Sequence, residues 1–364
     1  MEEVKFGITY DFNAAMLKWT PEYFIELSVK ADRVGFEYAF LMDHLNMFPA
    51  DFETFNAWIF KAAIALKTKK LRIGTSVTDP HRLHPAVMTH LILSLDRLSQ
   101  GRAFIGMGAG EGMNLDPFGI KWDKPVSRMR EALEVIHGLY KATPEAPFNY
   151  EGKFFRLKEA FLQVKPVQKP YPPIWIAGNG PRTRALTGEF GDGWLPQHLD
   201  PATYQKHLNE VESSAKAHGR KIEEIEAAYE LIIGISEDAE LAKEAISEVG
   251  KIPFIWGRPS LLGELGFDVD IPQDISAKLS AESMTVANYS RLYPQLKKAV
   301  ESIPFEAAEK INACGTPDDV IEKIEEYMKA GCKAFMCCIM GPDHDRAFKL
   351  FSEKVIPHFK EGKK

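Results

Sequence analysis

Four stretches in the first third of the chain decide the fold: VKFGITY (residues 4–10), FEYAFLM (36–42), LRIGTSV (71–77) and RAFIGMG (102–108). Each is apolar throughout rather than alternating, the pattern of a strand buried on both faces. Between them lie longer segments with apolar residues at helical spacing, over residues 21–34, 56–66, 85–98 and 126–140. The third begins with Pro85, at a first-turn position where the missing N–H costs nothing. A strand–helix pair repeated in this way predicts a parallel sheet with helices outside it.

Downstream the rhythm breaks once and then resumes. FNYEGKFFRL, within residues 148–165, reads as an inserted hairpin turning at Glu151 and Gly152. PPIWIAG (172–178), the short DGWLP, AAYELIIGI (227–235) and KAFMCCIM (333–340) continue the strands. Helices are expected over 181–190, 202–218, 239–249, 317–330 and 345–359. About eight strands result, and the expected fold is an α/β (β/α)8 TIM barrel with insertions. A doubly wound sheet has the same element order. The chain, residues 1–364, is expected to be a single domain. A larger insertion near 250–304, carrying Tyr289, Tyr293 and several prolines, is expected to form a lid or pocket wall.

The composition, 45% hydrophobic and 26% charged, is that of a globular protein with a sizeable core. A net charge of −6 with both signs well mixed provides no electrostatic footprint for nucleic acid. No apolar run is long enough to span a membrane. The opening MEEVKFGITY does not read as a signal peptide, so a cytoplasmic protein is expected. The four cysteines, Cys314, Cys332, Cys337 and Cys338, fit reduced core thiols. Adjacent strand residues point to opposite faces, so Cys337 and Cys338 cannot serve one metal.

Active sites of such barrels lie at the C-terminal ends of the strands. The second strand ends in Asp43-His44, a carboxylate and an imidazole that can handle a proton near neutrality. The plainer alternative is an Asp that caps a turn beside a His that packs. The fourth ends in Gly108-Ala109-Gly110-Glu111, which brings a carboxylate onto a loop that admits close backbone approach. Gly178-Asn179-Gly180, just before a helix, can present backbone N–H groups to an anion, or form an ordinary tight turn. His81, Arg82 and His84 follow the third strand; their i, i+3 spacing is only weakly diagnostic of a metal site, and the alternative is that Arg82 meets an acidic cofactor tail.

Taken together, these strand ends resemble the luciferase-like barrel family in its F420-using branch, over nearly the whole chain. FEYAFLMDH is similar to the family's second strand with its Asp-His. GTSV resembles the segment with a non-proline cis peptide behind the deazaflavin, which implies one between Ser76 and Val77. GAGEGMN (108–114) and IAGNGPR (176–182) resemble the remaining cofactor loops. The resemblance implies cofactor contacts from Asp43, Ser76, Val77, Gly108, Ala109, Gly110, Glu111, Asn114, Ala177, Gly178, Asn179 and Gly180.

Within that branch, FGIKWDKPVSRMREALEVI (118–136), VKPVQKP (164–170), GTPDDVIEKIEEYMKAG (315–331) and MGPD (340–343) are similar to methylenetetrahydromethanopterin reductase. The GAGEGMN stretch is similar to the alcohol and sugar-phosphate dehydrogenases of the branch. The chain departs from the reductases at Thr9, where they carry a glutamate, and at Glu111, where an aspartate is usual. It departs from the dehydrogenases at Phe48, where they have a tryptophan, and matches their phosphate anchors only in part, at Lys310.

The implied chemistry is hydride transfer between coenzyme F420 and a small organic substrate, with Glu111 and His44 as acid and base. Asp43 would orient His44 or the coenzyme, and Thr9, Asn46 and Phe48 would line the substrate pocket. Alternatives are an F420-dependent alcohol, ketone or sugar-phosphate dehydrogenase, an FMN-dependent monooxygenase, and a non-catalytic barrel subunit. A homodimer and an archaeal source are implied by the same resemblance.

Overall fold

A computed structural model describes residues 4–10, 20–48, 50, 53–256, 260–269, 271–278 and 284–361. Its strands, in chain order, are β1 (Lys5–Thr9), β2 (Tyr38–Leu41), β3 (Arg72–Thr75), β4 (Ile105–Met107), β5 (Phe148–Glu151), β6 (Arg156–Ala160), β7 (Ile174–Ile176), β8 (Gly193–Trp194), β9 (Glu226–Ile235), β10 (Ala313–Gly315) and β11 (Ala334–Met340). Eight of them pair in parallel in the order β3-β2-β1-β11-β9-β8-β7-β4. The ends of that row meet through two parallel bridges, Ile73 to Ala103 and Thr78 to Met107. The first strand therefore lies beside the last, the sheet closes on itself, and the doubly wound alternative is excluded.

Three features differ from expectation. β10 pairs with the outer end of β9 and lies off the barrel. The expected helix over 239–249 stops at Ala245, and the closing helix is divided into His344–Leu350, a wide five-residue turn at Phe351–Val355, and Ile356–Glu361. The wide turn leaves Phe351 and Val355 both wholly buried. Residues 148–165 contain the antiparallel β5–β6 hairpin, off the barrel sheet. The 250–304 stretch contains helices Pro253–Trp256, Leu261–Glu264, Gln273–Lys278 and Val286–Ser302; residues 257–259, 270 and 279–283 lie outside the description.

The first described helix, Pro21–Val34, illustrates the local logic. Thr20 caps its start, Pro21 opens it, and Gly35 closes it in the left-handed region at φ 102°. Phe24, Leu27, Ser28 and Ala31 repeat at helical spacing and face the barrel.

Inside the barrel, four aromatic rings form a plug: Tyr38, Phe40, Phe104 and Trp175, with Tyr38 and Phe104 each 5.1 Å from Trp175, centroid to centroid. Three glycines on neighbouring strands leave room for it. A Cβ on Gly7 would lie 2.3 Å from the Phe40 ring, on Gly74 2.3 Å from Phe104, and on Gly193 2.4 Å from Trp175. Val77, Leu195 and Met336 pack on this plug and also floor the cleft above it.

The β3–β4 seam carries an irregularity that shapes that cleft. Its two bridges are five residues apart on the β3 side and four on the β4 side, so β3 holds one extra residue, a bulge. The Thr75 hydroxyl fills the interrupted ladder, donating to Gly106 O at 2.8 Å and accepting from Gly106 N at 3.0 Å. Thr75→Val keeps the shape but leaves the buried Gly106 N–H without this partner, while Gly106 O keeps Thr78 N at 2.9 Å. A loss of about 1–3 kcal/mol is expected in urea unfolding; a loss below about 0.5 kcal/mol would show that the seam does not rely on this hydroxyl.

Candidate active site

A cleft of about 290 Å³ opens over the plug, where the loops after β2, β3, β4 and β7 meet. His44, Ser76 and Val77 border it, as do Gly108, Ala109, Gly110, Glu111 and Asn114. Ala177, Gly178 and Asn179 form the far wall. The peptide between Ser76 and Val77 is cis.

The remaining sequence candidates lie elsewhere. Asp43 is one layer back, 4% exposed, accepting from Thr78 Oγ1 at 2.6 Å and Trp58 Nε1 at 3.4 Å, with Arg82 at 3.7 Å. It thus braces the bulge and Arg82 from behind. Gly180 caps the helix Pro181–Phe190. Thr9 is buried, and its hydroxyl finds no partner among the described residues. Asn46 meets the site through its backbone N–H, and Phe48 is turned away and stacked on Tyr289 at 4.3 Å.

The central polar contact joins two strand-end loops. His44 Nε2 lies 2.9 Å from Glu111 Oε1. Asn114 Nδ2 donates to the same oxygen at 2.8 Å, while Asn114 Oδ1 accepts from Leu45 N at 2.7 Å and Asn46 N at 3.0 Å. Gly110, at φ 82°, makes the turn that brings Glu111 inward, a conformation costly for a residue with a Cβ. Burial pushes the Glu111 carboxyl up. The His44 charge, the hydrogen bonds from His44 and Asn114, and the Arg82 charge outweigh it and hold the group below the ordinary carboxylate range.

Around this pair the charges are matched. Arg82 Nε donates to Asp79 Oδ2 at 2.5 Å, and its guanidinium also approaches Asp43. His81 packs behind Gly110, where burial lowers its pKa. His84 is a helix cap, accepting from Ala86 N at 3.2 Å. No group of three or more His, Cys, Asp or Glu side chains among the described residues is placed to hold a metal ion.

Glu230, Gln197 and the methionines Met42, Met47 and Met336 also border the cleft and were not picked out from sequence. Glu230 was detectable: it is the one acidic residue inside the apolar run AAYELIIGI, level with Met336 on the adjacent strand.

The surfaces suit a flat heterocycle with an anionic tail. Gly108 brings Val77 up to the cleft, since a Cβ there would lie 2.6 Å from Val77 Cγ2. The Ser76 hydroxyl is buried at the edge and has no partner among the described residues, which leaves it for a ligand. Gly178 and Asn179 precede a helix N-terminus, where backbone N–H groups favour an anion. The Asn179 side chain is pinned to the Gln197 backbone at 2.9 and 3.1 Å.

A parallel barrel with its polar pair at the strand ends and a cis-peptide bulge under the cleft defines a recognisable class, and the chain belongs to the luciferase-like monooxygenase family, whose model matches residues 7–334. It is similar to the 5,10-methylenetetrahydromethanopterin reductase of Methanopyrus kandleri, 30% identical over 378 residues covering 99% of this chain and 100% of that protein. The enzyme of that name from Archaeoglobus fulgidus is 28% identical over 358 residues, covering 98% of this chain and 100% of its own. The solved structure of the coenzyme F420-dependent tetrahydromethanopterin reductase of M. kandleri superposes with a TM-score of 0.81 at 27% identity, covering 98% of this chain and 99% of that one.

Because folding lowers its pKa, Glu111 contributes stability that is present above its ordinary value of 4.5 and lost as pH falls through the lower folded value. The stability gap between the wild type and Glu111→Gln should therefore narrow from pH 5 down to about pH 3 in thermal unfolding series. A gap independent of pH would contradict the ion pair.

Proposed function

We propose that the cleft binds coenzyme F420 and that the enzyme reduces the methylene group of a tetrahydromethanopterin-type one-carbon carrier. The observation that carries this reading is the His44–Glu111 pair at the edge of a cleft floored by the Ser76–Val77 bulge. Full-length similarity to two methylenetetrahydromethanopterin reductases supports the choice of substrate.

When bound, the coenzyme supplies a hydride donor. Val77 would back the ring, the Ser76 hydroxyl would bond its polar edge, and the backbone around Ala177, Gly178 and Asn179 would hold its phosphate. Overall the reaction adds one hydride and one proton to the substrate: a C–H bond forms, the methylene C–N bond on the other side breaks, and its nitrogen takes the proton. His44 Nε2 and Glu111 form the dyad in the cleft suited to moving that proton. Asp43 would act indirectly, through Thr78 and Arg82. Met42 and Met47 would form the apolar substrate wall in place of Phe48.

The same dyad favours a second reading, oxidation of an alcohol or reduction of a ketone, in which the proton sits on oxygen. Reduced F420 should be oxidised with methylenetetrahydromethanopterin and not with acetone or butanone; Glu111→Gln should lower kcat by about a hundredfold or more while sparing coenzyme binding. Turnover with ketones only would favour the second reading. Oxygen uptake with FMN would replace both, and coenzyme binding without turnover would indicate a non-catalytic barrel.

A homodimer is supported by an apolar row on the helix Ala57–Lys67, where Ile59 is 69% and Leu66 68% exposed. Val87 and Leu98 are exposed on the adjacent helix Pro85–Leu98. A cytoplasmic location suits the four free thiols, and no helix among the described residues is long and apolar enough to cross a membrane. Ile59→Asp with Leu66→Asp should give a monomer in sedimentation velocity; a dimer surviving both changes would place the interface elsewhere.

A further inference from the structure

Asn114 occupies the 3-10 turn Gly112–Asn114 that follows Glu111 and is 1% exposed. Two backbone N–H groups, from Leu45 and Asn46, converge on its Oδ1. That fixes the amide's orientation, because an amide oxygen accepts and an amide nitrogen only donates. The NH2 side therefore faces Glu111, and the Glu111 oxygen it meets must offer a lone pair. His44 Nε2 approaches that same oxygen at 2.9 Å, and with the Glu111 carboxyl held below the ordinary range, and so ionised near neutrality, the proton in this contact belongs to His44.

The apolar surroundings hold the same two loops from outside. Met113, the neighbour of Asn114, is fully buried, and Met47 and Phe48, beyond His44, enter the same cluster. The 250–304 insertion supplies its other side, with Tyr289 on Phe48. The loops thus have a packing support independent of the Asn114 amide.

We propose that Asn114 is a positioning residue for the His44–Glu111 dyad: one end of its amide ties the His44 loop, and the other holds Glu111 as the acceptor and His44 Nε2 as the donor. This rests on the reading above, in which the dyad moves the proton of the reaction. Asn114 acts there through Glu111 and not as an acid or base. Its donation is one of the interactions that outweigh burial at Glu111.

Asn114→Asp separates the two ends. It retains an oxygen for the Leu45 and Asn46 N–H groups but replaces the donor facing Glu111 with a second carboxylate oxygen. In the coenzyme-free protein, with glutamate carboxyls labelled with 13C and Glu111 assigned by its loss in Glu111→Gln, the Glu111 midpoint should rise by about one pH unit or more in Asn114→Asp. In Asn114→Leu, which removes the donor without adding charge, it should rise by about half a unit. In turnover, Asn114→Asp should lower kcat about tenfold to a hundredfold with KM changed less than about threefold, and should cost less than about twofold when Glu111 is already Gln.

An unchanged Glu111 midpoint in both variants would overturn the proposal, as would an equal loss of kcat in the two backgrounds, the result for a residue that only ties loops. If the wild type turns over none of the substrates offered, the functional reading fails, and the midpoints still decide the role of Asn114.

Discussion

The architecture of the site depends on the seam where the barrel closes. Eight parallel strands meet there through two backbone bridges and the Thr75 hydroxyl, with one residue more on β3 than on β4. That extra residue moves Ser76 and Val77 out of the ladder and over the aromatic plug. Gly108 on the opposite strand end has no side chain to compete with Val77, so the two loops enclose a flat cleft. Without the bulge, Val77 would continue the strand, and the cleft would lose Val77 from the floor it shares with Leu195 and Met336, and the Ser76 hydroxyl from its edge.

A site at a barrel mouth has to keep its charges balanced as it leaves water. Here one arginine, Arg82, serves Asp79 and Asp43, and His44 serves Glu111. Asp43 is thereby bound into the wall, with Thr78 and Trp58 as its other donors. Trp58 lies between Asp43 and Lys61, whose Nζ is 3.2 Å from the indole centroid and wholly buried, and burial pushes the Lys61 pKa well down. Glu111 and His44 thus face the cleft as a carboxyl–imidazole pair beside Glu230, and the loops that carry them are joined by Asn114 inside and by the insertion's apolar cluster outside.

Much of this was legible in the sequence, for physical reasons. Strands buried on both faces leave apolar runs that need no partner information to be read, so all eight barrel strands were identified. β10 was missed because three residues, ACG, carry no pattern. Once a barrel was expected, the strand-end rule directed attention to Asp43, His44, Ser76, Glu111 and Gly178. It could not say which way each side chain turns. Asp43 and His44 are neighbours in sequence, yet one faces the wall and the other the cleft. Phe48 is held by Tyr289, a contact between distant segments that no local pattern records. The coenzyme came from resemblance: glycines and a serine at a strand end describe a flat, partly polar pocket and do not name its occupant.

The central claim is that this pocket is shaped for a deazaflavin, and the most direct test is equilibrium titration of the purified protein with F420 and with FMN, followed by fluorescence, for the wild type and for Gly108→Val. Saturable binding of F420 at least about tenfold tighter than FMN is expected, lost when a side chain at position 108 fills the space in front of Val77. Preference for FMN, or F420 binding that is indifferent to Gly108→Val, would contradict it.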